Sequence, residues 1–248
     1  MTFRCFVNSL SAPLIAFFLA FTSMFPAAHA ADDLRKMTVV SFGLFGDQGV
    51  FQSEATGAAQ IVAGRFGGDP VVVKFNTKTS SDATVEALDA TLQELAETMN
   101  SESDLLFLIL TSHGSRDGLA VKAGRKTATL TPSNLAKMLD RTGVRHKAVI
   151  ISACYSGVFI PRLADTNTLV ITAASANRSS FGCEDKAKWT YFGDAFFNIA
   201  LRRAKSLKDA FLDARSIVLK RELRQGFAPS RPQMAGGEKV APLLVVRD

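Results

Sequence analysis

The chain has 248 residues, 47% of them apolar, with 29 basic against 23 acidic side chains and a formal charge of +6. That length and apolar content exclude a disordered or fibrous chain and suit one sizeable globular domain. The basic excess is scattered. Its densest stretch, Arg202 to Arg224, is interleaved with Asp209, Asp213 and Glu222 and reads as a solvated helix face, so no nucleic-acid partner is expected.

The segment 1–30 is set apart. Arg4 is its only charged residue, Leu14 to Phe25 is almost wholly apolar, and Ala28-His29-Ala30 has the small-x-small pattern of a cleavage site. A secretory signal peptide is expected, with the mature domain spanning 31–248 and exported. The alternative, an uncleaved anchor, is disfavoured by a short apolar stretch followed by Pro26, and no membrane span is expected once the signal is removed. Cleavage removes Cys5 and His29, leaving Cys154, Cys183, His113 and His146.

Beyond the leader, strands and helices alternate. Met37 to Leu44 reads as a strand, Glu54 to Phe66 as a helix with Ile61 and Val62 on its inner face, and Val71 to Phe75 as a β-branched strand. Ser80-Ser81-Asp82 looks like the start of a helix running to Met99, with Val85, Leu88, Leu92 and Leu95 at helical spacing. The apolar run from Leu105 leads into His113, and a polar hairpin is expected over Gly118 to Leu130. Thr131-Pro132 is an N-cap followed by proline at the first helical position, opening a helix that ends near Gly143. A strand from Lys147 to Ala153 delivers Cys154, and Thr168 to Ala173 forms the next. Helices over Tyr191 to Ala204 and Leu207 to Gln225 follow, and Val240 to Val246 reads as an edge strand. Such alternation predicts an α/β fold, a mostly parallel sheet with helices on both faces.

Ligands bind at the carboxyl ends of parallel strands, and two of these strands end in His113 and Cys154. A thiol with an adjacent imidazole suffices for covalent hydrolysis, because the thiolate attacks and the imidazole protonates the leaving amine. The bland alternative is a disulfide between Cys154 and Cys183. An α/β-hydrolase elbow is excluded by order, since no histidine follows Cys154. The spacing of the two His and two Cys matches no zinc pattern, and Gly43 to Gly49 lacks the Lys-Ser/Thr ending of a phosphate loop. No metal or cofactor is expected. His146 sits in a basic turn at the entrance of its strand, the wrong end of the sheet for catalysis.

Several motifs in order, Ser41-Phe42-Gly43, Gly46-Asp47-Gln48, Thr111-Ser112-His113-Gly114, Ser152-Ala153-Cys154-Tyr155-Ser156-Gly157, Arg178-Ser179-Ser180-Phe181-Gly182-Cys183 and Thr190-Tyr191-Phe192-Gly193-Asp194, resemble the legumain family of cysteine peptidases, particularly its bacterial exported branch. The resemblance implies a caspase-like three-layer sandwich and an endopeptidase acting on peptide or protein substrates, with Asn or another small polar side chain preferred before the cut bond. It implies His113 as general base and acid, Cys154 as nucleophile, the N–H groups of Gly114 and Cys154 as oxyanion donors, and Ser179, Ser180 and Asp194 in the specificity pocket. Asparagine-specific relatives carry an Arg-His pair where Gln52-Ser53 aligns, so the pocket here is expected to lack that cation. Ser112 replaces the aspartate found before the histidine in relatives with ligase activity. A transamidase and a non-catalytic binding domain that keeps the fold remain the alternatives.

Overall fold

A computed structural model describes residues 1–2 and 35–246, so the signal peptide expected over 1–30 lies almost wholly outside the described residues. Arg35 to Val246 falls within one compact unit, Asp33–Asp248.

Strand β1 (Met37–Gly43) is followed by helix α1 (Gly49–Phe66), β2 (Val71–Phe75), α2 (Val85–Ala96) and β3 (Leu105–Thr111). A small antiparallel sheet comes next, β4 (Gly114–Ser115), β5 (Gly118–Ala123) and β6 (Lys126–Leu130), which contains the expected hairpin. Helix α3 (Pro132–Arg141) leads to β7 (His146–Ser152), short α4 (Ile160–Leu163) and β8 (Thr168–Thr172). A single turn α5 (Tyr191–Gly193) passes into π-helical turns over Asp194–Leu201, then α6 (Leu207–Arg224) and β9 (Gln233–Ala235). The main sheet runs β2-β1-β3-β7-β8-β9, parallel except for β9.

Strand alternation divides the core in two. Val39, Phe107, Ile109, Ile150 and Ile171 face α1, the π-helical turns and α6, while Val40, Phe42, Leu108, Leu110 and Ile151 face α2, α3 and the hairpin. Both faces of the central strands are therefore buried, which explains their unbroken apolar runs.

Four expectations need correcting. Helix α1 starts at Gly49, five residues before Glu54, because its first N–H is received by Asp185 Oδ1 at 2.9 Å, a cap supplied from far along the chain. Helix α2 starts after Thr84, whose hydroxyl accepts the Ala87 N–H. The expected start, Ser80 to Asp82, instead makes a turn bridged to Asn76. The segment after Tyr191 is π-helical over most of its length, placing Phe196, Phe197, Ala200 and Leu201 in the core. The edge strand is β9. Val240 to Val246 holds a 3-10 turn at Ala241–Leu243, where Pro242 has no N–H to offer a ladder, and Val240 and Leu244 are buried in the core.

Asn76, 1% exposed, fastens the loop after β1 to the approach of α2. Its amide donates to Leu44 O and Ala83 O, both at 2.8 Å, and its carbonyl accepts the Ala83 N–H at 2.9 Å. Asn76→Ala leaves the Ala83 groups unpaired in the interior. It is expected to cost about 2–3 kcal/mol of stability, measured by denaturant unfolding.

Candidate active site

The pairing of β3 with β7 sets Thr111 opposite Ser152, and the Ser112 N–H reaches Ser152 O at 3.2 Å. Two residues beyond that pair the strands present His113 and Cys154, which line the same small cleft. Past the thiol the chain turns sharply. Tyr155 sits at φ 54°, a left-handed conformation unusual for a residue with a side chain, and its N–H is held by Arg178 O at 2.8 Å. Gly114 lies against the same turn, where an added Cβ would stand 2.1 Å from Cys154 O. Only glycine fits there.

His113 is half-buried between the rings of Phe45 and Phe51, edge-on at 4.7 and 5.0 Å between centroids. Its Nε2 meets Gln48 Oε1. The orientation of that amide is set from the other side, since Gln48 Nε2 donates to Cys183 O at 2.8 Å. Gln48 therefore turns a carbonyl towards the imidazole, Nε2 carries the proton, and the Nδ1 lone pair is left free. Burial pushes the His113 pKa below its ordinary 6.5, favouring this neutral base. The Cys154 thiol faces the backbone of Ser180, with Sγ 3.2 Å from its N and 3.3 Å from its O.

The other expected residues divide. Ser180 lines the cleft, whereas Ser179 does not. Asp194 is also absent from the lining. Its carboxylate is taken by Arg221 at 2.6 Å and by the Asn198 amide at 2.9 Å, which joins the π-helical turns to α6. From α1, the residue reaching the cleft is Phe51; Gln52 lines a separate depression with Asp47 and Asp185. Cys183 shares the cleft with Cys154, and both thiols are free. His146 opens β7 opposite Leu105, at the end of the strand remote from Cys154. Among the described residues no group of three His, Cys, Asp or Glu could hold a metal ion.

Sequence reasoning gave no role to Gln48, Phe45, Phe51, Thr190 or Glu54. Glu54 alone left a signal. It precedes Ile61 and Val62 by seven and eight positions and so shares their inward face, an improbable place for an unpaired carboxylate.

A sequence model described as the Peptidase C13 family matches residues 78–240. No curated protein matches the chain. Among solved structures, caspase-1 from Spodoptera frugiperda is similar at 16% identity, over 82% of this chain and 88% of that one, with a TM-score of 0.55. The structure of pro-sf-caspase-1 is similar at 14% identity, over 82% and 91%, with a TM-score of 0.56. These likenesses show a caspase-like fold.

Two outcomes are expected from the geometry. Gly114→Ala must displace the Cys154 turn, and a shift approaching 1 Å is expected to lower kcat/KM on peptides by about 10²-fold with the fold retained by circular dichroism. The depressed His113 pKa means that the neutral imidazole survives below pH 6.5. The acid limb of kcat/KM against pH is expected to fall below 6.5, and the folding stability contributed by the neutral ring, full above 6.5, is lost as pH falls towards the depressed value.

Proposed function

The chain belongs to the peptidase C13 family, and on that premise we propose that it is an exported cysteine endopeptidase working through the dyad His113 and Cys154. The observation that carries the proposal is the presence of both side chains in one cleft, at the in-register ends of neighbouring strands. Its substrates are then peptides or proteins. Export to a bacterial periplasm rests on the leader-like composition of 1–30 and on the family resemblance; among the described residues no helix is long and apolar enough to cross a membrane.

In the proposed reaction Nδ1 of His113 takes the Cys154 proton as Sγ attacks the carbonyl carbon of the scissile bond. The N–H groups of Gly114 and Cys154 receive the developing oxyanion. The imidazolium returns its proton to the leaving amine as the C–N bond breaks, leaving a thioester on Sγ. Neutral again, His113 takes a proton from water, whose oxygen attacks the thioester carbon and releases the acid and the thiol. Gln48 holds the ring in one tautomer throughout and accommodates the charge on the imidazolium. It is a positioning residue.

The test is cleavage of a peptide library, read by mass spectrometry, under reducing conditions. Wild type is expected to cleave, Cys154→Ala and His113→Ala to lose all cleavage, and Gln48→Ala to lose about 10²-fold in kcat with KM little changed. Cleavage that survives Cys154→Ala would refute the proposal.

A further inference from the structure

Cys183 has no part in the proposed reaction, yet it stands beside the residue that does. Both thiols are half-buried and free, and both line one cleft with His113 and Ser180. The path of the chain explains why they meet. Ser180 is fastened to Cys154, its N–H directed at Sγ with 3.2 Å between N and S. Phe181 O then accepts the Tyr191 N–H at 3.0 Å. Gly182 follows at φ 86°, a left-handed conformation, packed so closely on Tyr191 that an added Cβ would stand 2.7 Å from its backbone N. This turn brings Cys183 to the same cleft as Ser180. Its carbonyl is held there by Gln48 Nε2 at 2.8 Å. The second thiol is thus pinned on both sides at the cleft wall.

The space between the two thiols is small. The cleft amounts to about 10 Å³, roughly the room of one water. Burial pushes the Cys183 pKa up first, and the charges of Cys154, Glu184 and Glu54 push it the same way. Glu54 is fully buried, where it accepts the Thr111 hydroxyl at 2.8 Å and the Thr190 N–H at 2.7 Å. Cys183 is therefore held as the protonated thiol, a poor first target for an oxidant. Proximity offsets that weakness in a second, intramolecular step against a neighbouring sulfur that has already been oxidised.

We propose that Cys183 is a resolving thiol, which converts oxidised Cys154 into a reversible Cys154–Cys183 disulfide. The oxidant is a hydroperoxide. The Cys154 sulfur, its proton taken by His113, attacks the terminal peroxide oxygen. The O–O bond breaks, the other oxygen leaves with that proton as water or an alcohol, and Cys154 becomes a sulfenic acid. The Cys183 sulfur then attacks the sulfenic sulfur, the S–O bond breaks, and the hydroxyl leaves as water with the Cys183 proton. The two thiols lose two electrons in all, and the peroxide takes them. A sulfenic acid that meets no second thiol is open to further, irreversible oxidation, whereas an external dithiol returns the disulfide to two thiols by exchange. Formation of the bond does not depend on the peptidase function. That it stops cleavage rests on that reading, in which Cys154 is the nucleophile.

The experiment treats wild type, Cys183→Ser and Cys183→Ala with hydrogen peroxide and reads each by intact mass and non-reducing peptide mapping, before and after dithiothreitol. In wild type the expected product is a peptide pair joined through Cys154 and Cys183, with two hydrogens lost and no oxygen gained. Peptide cleavage is expected to fall at least about tenfold and to return to within about twofold of the untreated sample on reduction. In either variant Cys154 is expected to gain two oxygens as the sulfinic acid, and dithiothreitol restores no activity. Each variant is read against its own untreated sample, and the wild-type map decides even if both fail to fold. A wild type in which Cys154 reaches the sulfinic acid as fast as in the variants, or is joined to any other cysteine, overturns the proposal while leaving the peptidase standing. A wild type that forms the Cys154–Cys183 bond but cleaves no peptide before treatment overturns the peptidase function and leaves the disulfide standing.

Discussion

Everything at the site depends on the register of two parallel strands. Thr111 lies opposite Ser152, and His113 and Cys154 each come two residues later. Because side chains alternate along a strand, a slip of one residue would reverse which face each carries and would send one of the two reactive groups away from the other. The register is held from both faces of the sheet by Ile109 and Ile150 on one side and Leu110 and Ile151 on the other, all fully buried. Losing one such side chain costs about 2–5 kcal/mol. The core therefore supplies both stability and the placement of His113 and Cys154.

Loops then complete what the strands begin. Gln48, between β1 and α1, is fixed by Cys183 O and in turn fixes the imidazole, so a single amide joins segments separated by 135 residues. The 175–190 segment closes over the thiol from the other side, through Ser180 and through Arg178 O on Tyr155. The Tyr155 turn and the Gly114 contact confine the Cys154 backbone between them. Pre-organisation of this kind would spare the proposed reaction the entropy of bringing the imidazole and the thiol together.

The central strands β1, β3, β7 and β8 were legible in the sequence because burial on both faces leaves apolar runs, and the runs of β3 and β7 lead into His113 and Cys154. Helix α3 was legible because Thr131 and Pro132 are local signals. What escaped was determined at long range. The start of α1 depends on Asp185, the edge strand was decided by Pro242 and the buried Val240 and Leu244, and the contacts of Gln48 and Phe51 at the cleft arise only when the strand ends and the 175–190 segment meet. Asp194, matched to a pocket by motif, is held by Arg221, a partner whose nearness to it could not be read from spacing.

In the proposed reaction Cys154, and not the neighbouring Cys183 in the same cleft, carries the acyl group. The most direct measurement is acid quenching of the protein within milliseconds of mixing with a cleavable peptide, followed by intact mass and peptide mapping of the adduct. The expected result is a thioester on Cys154 whose mass equals the acyl portion of the peptide, and none in His113→Ala. An acyl group found on Cys183, or turnover with no covalent species under conditions where deacylation limits the rate, would contradict it.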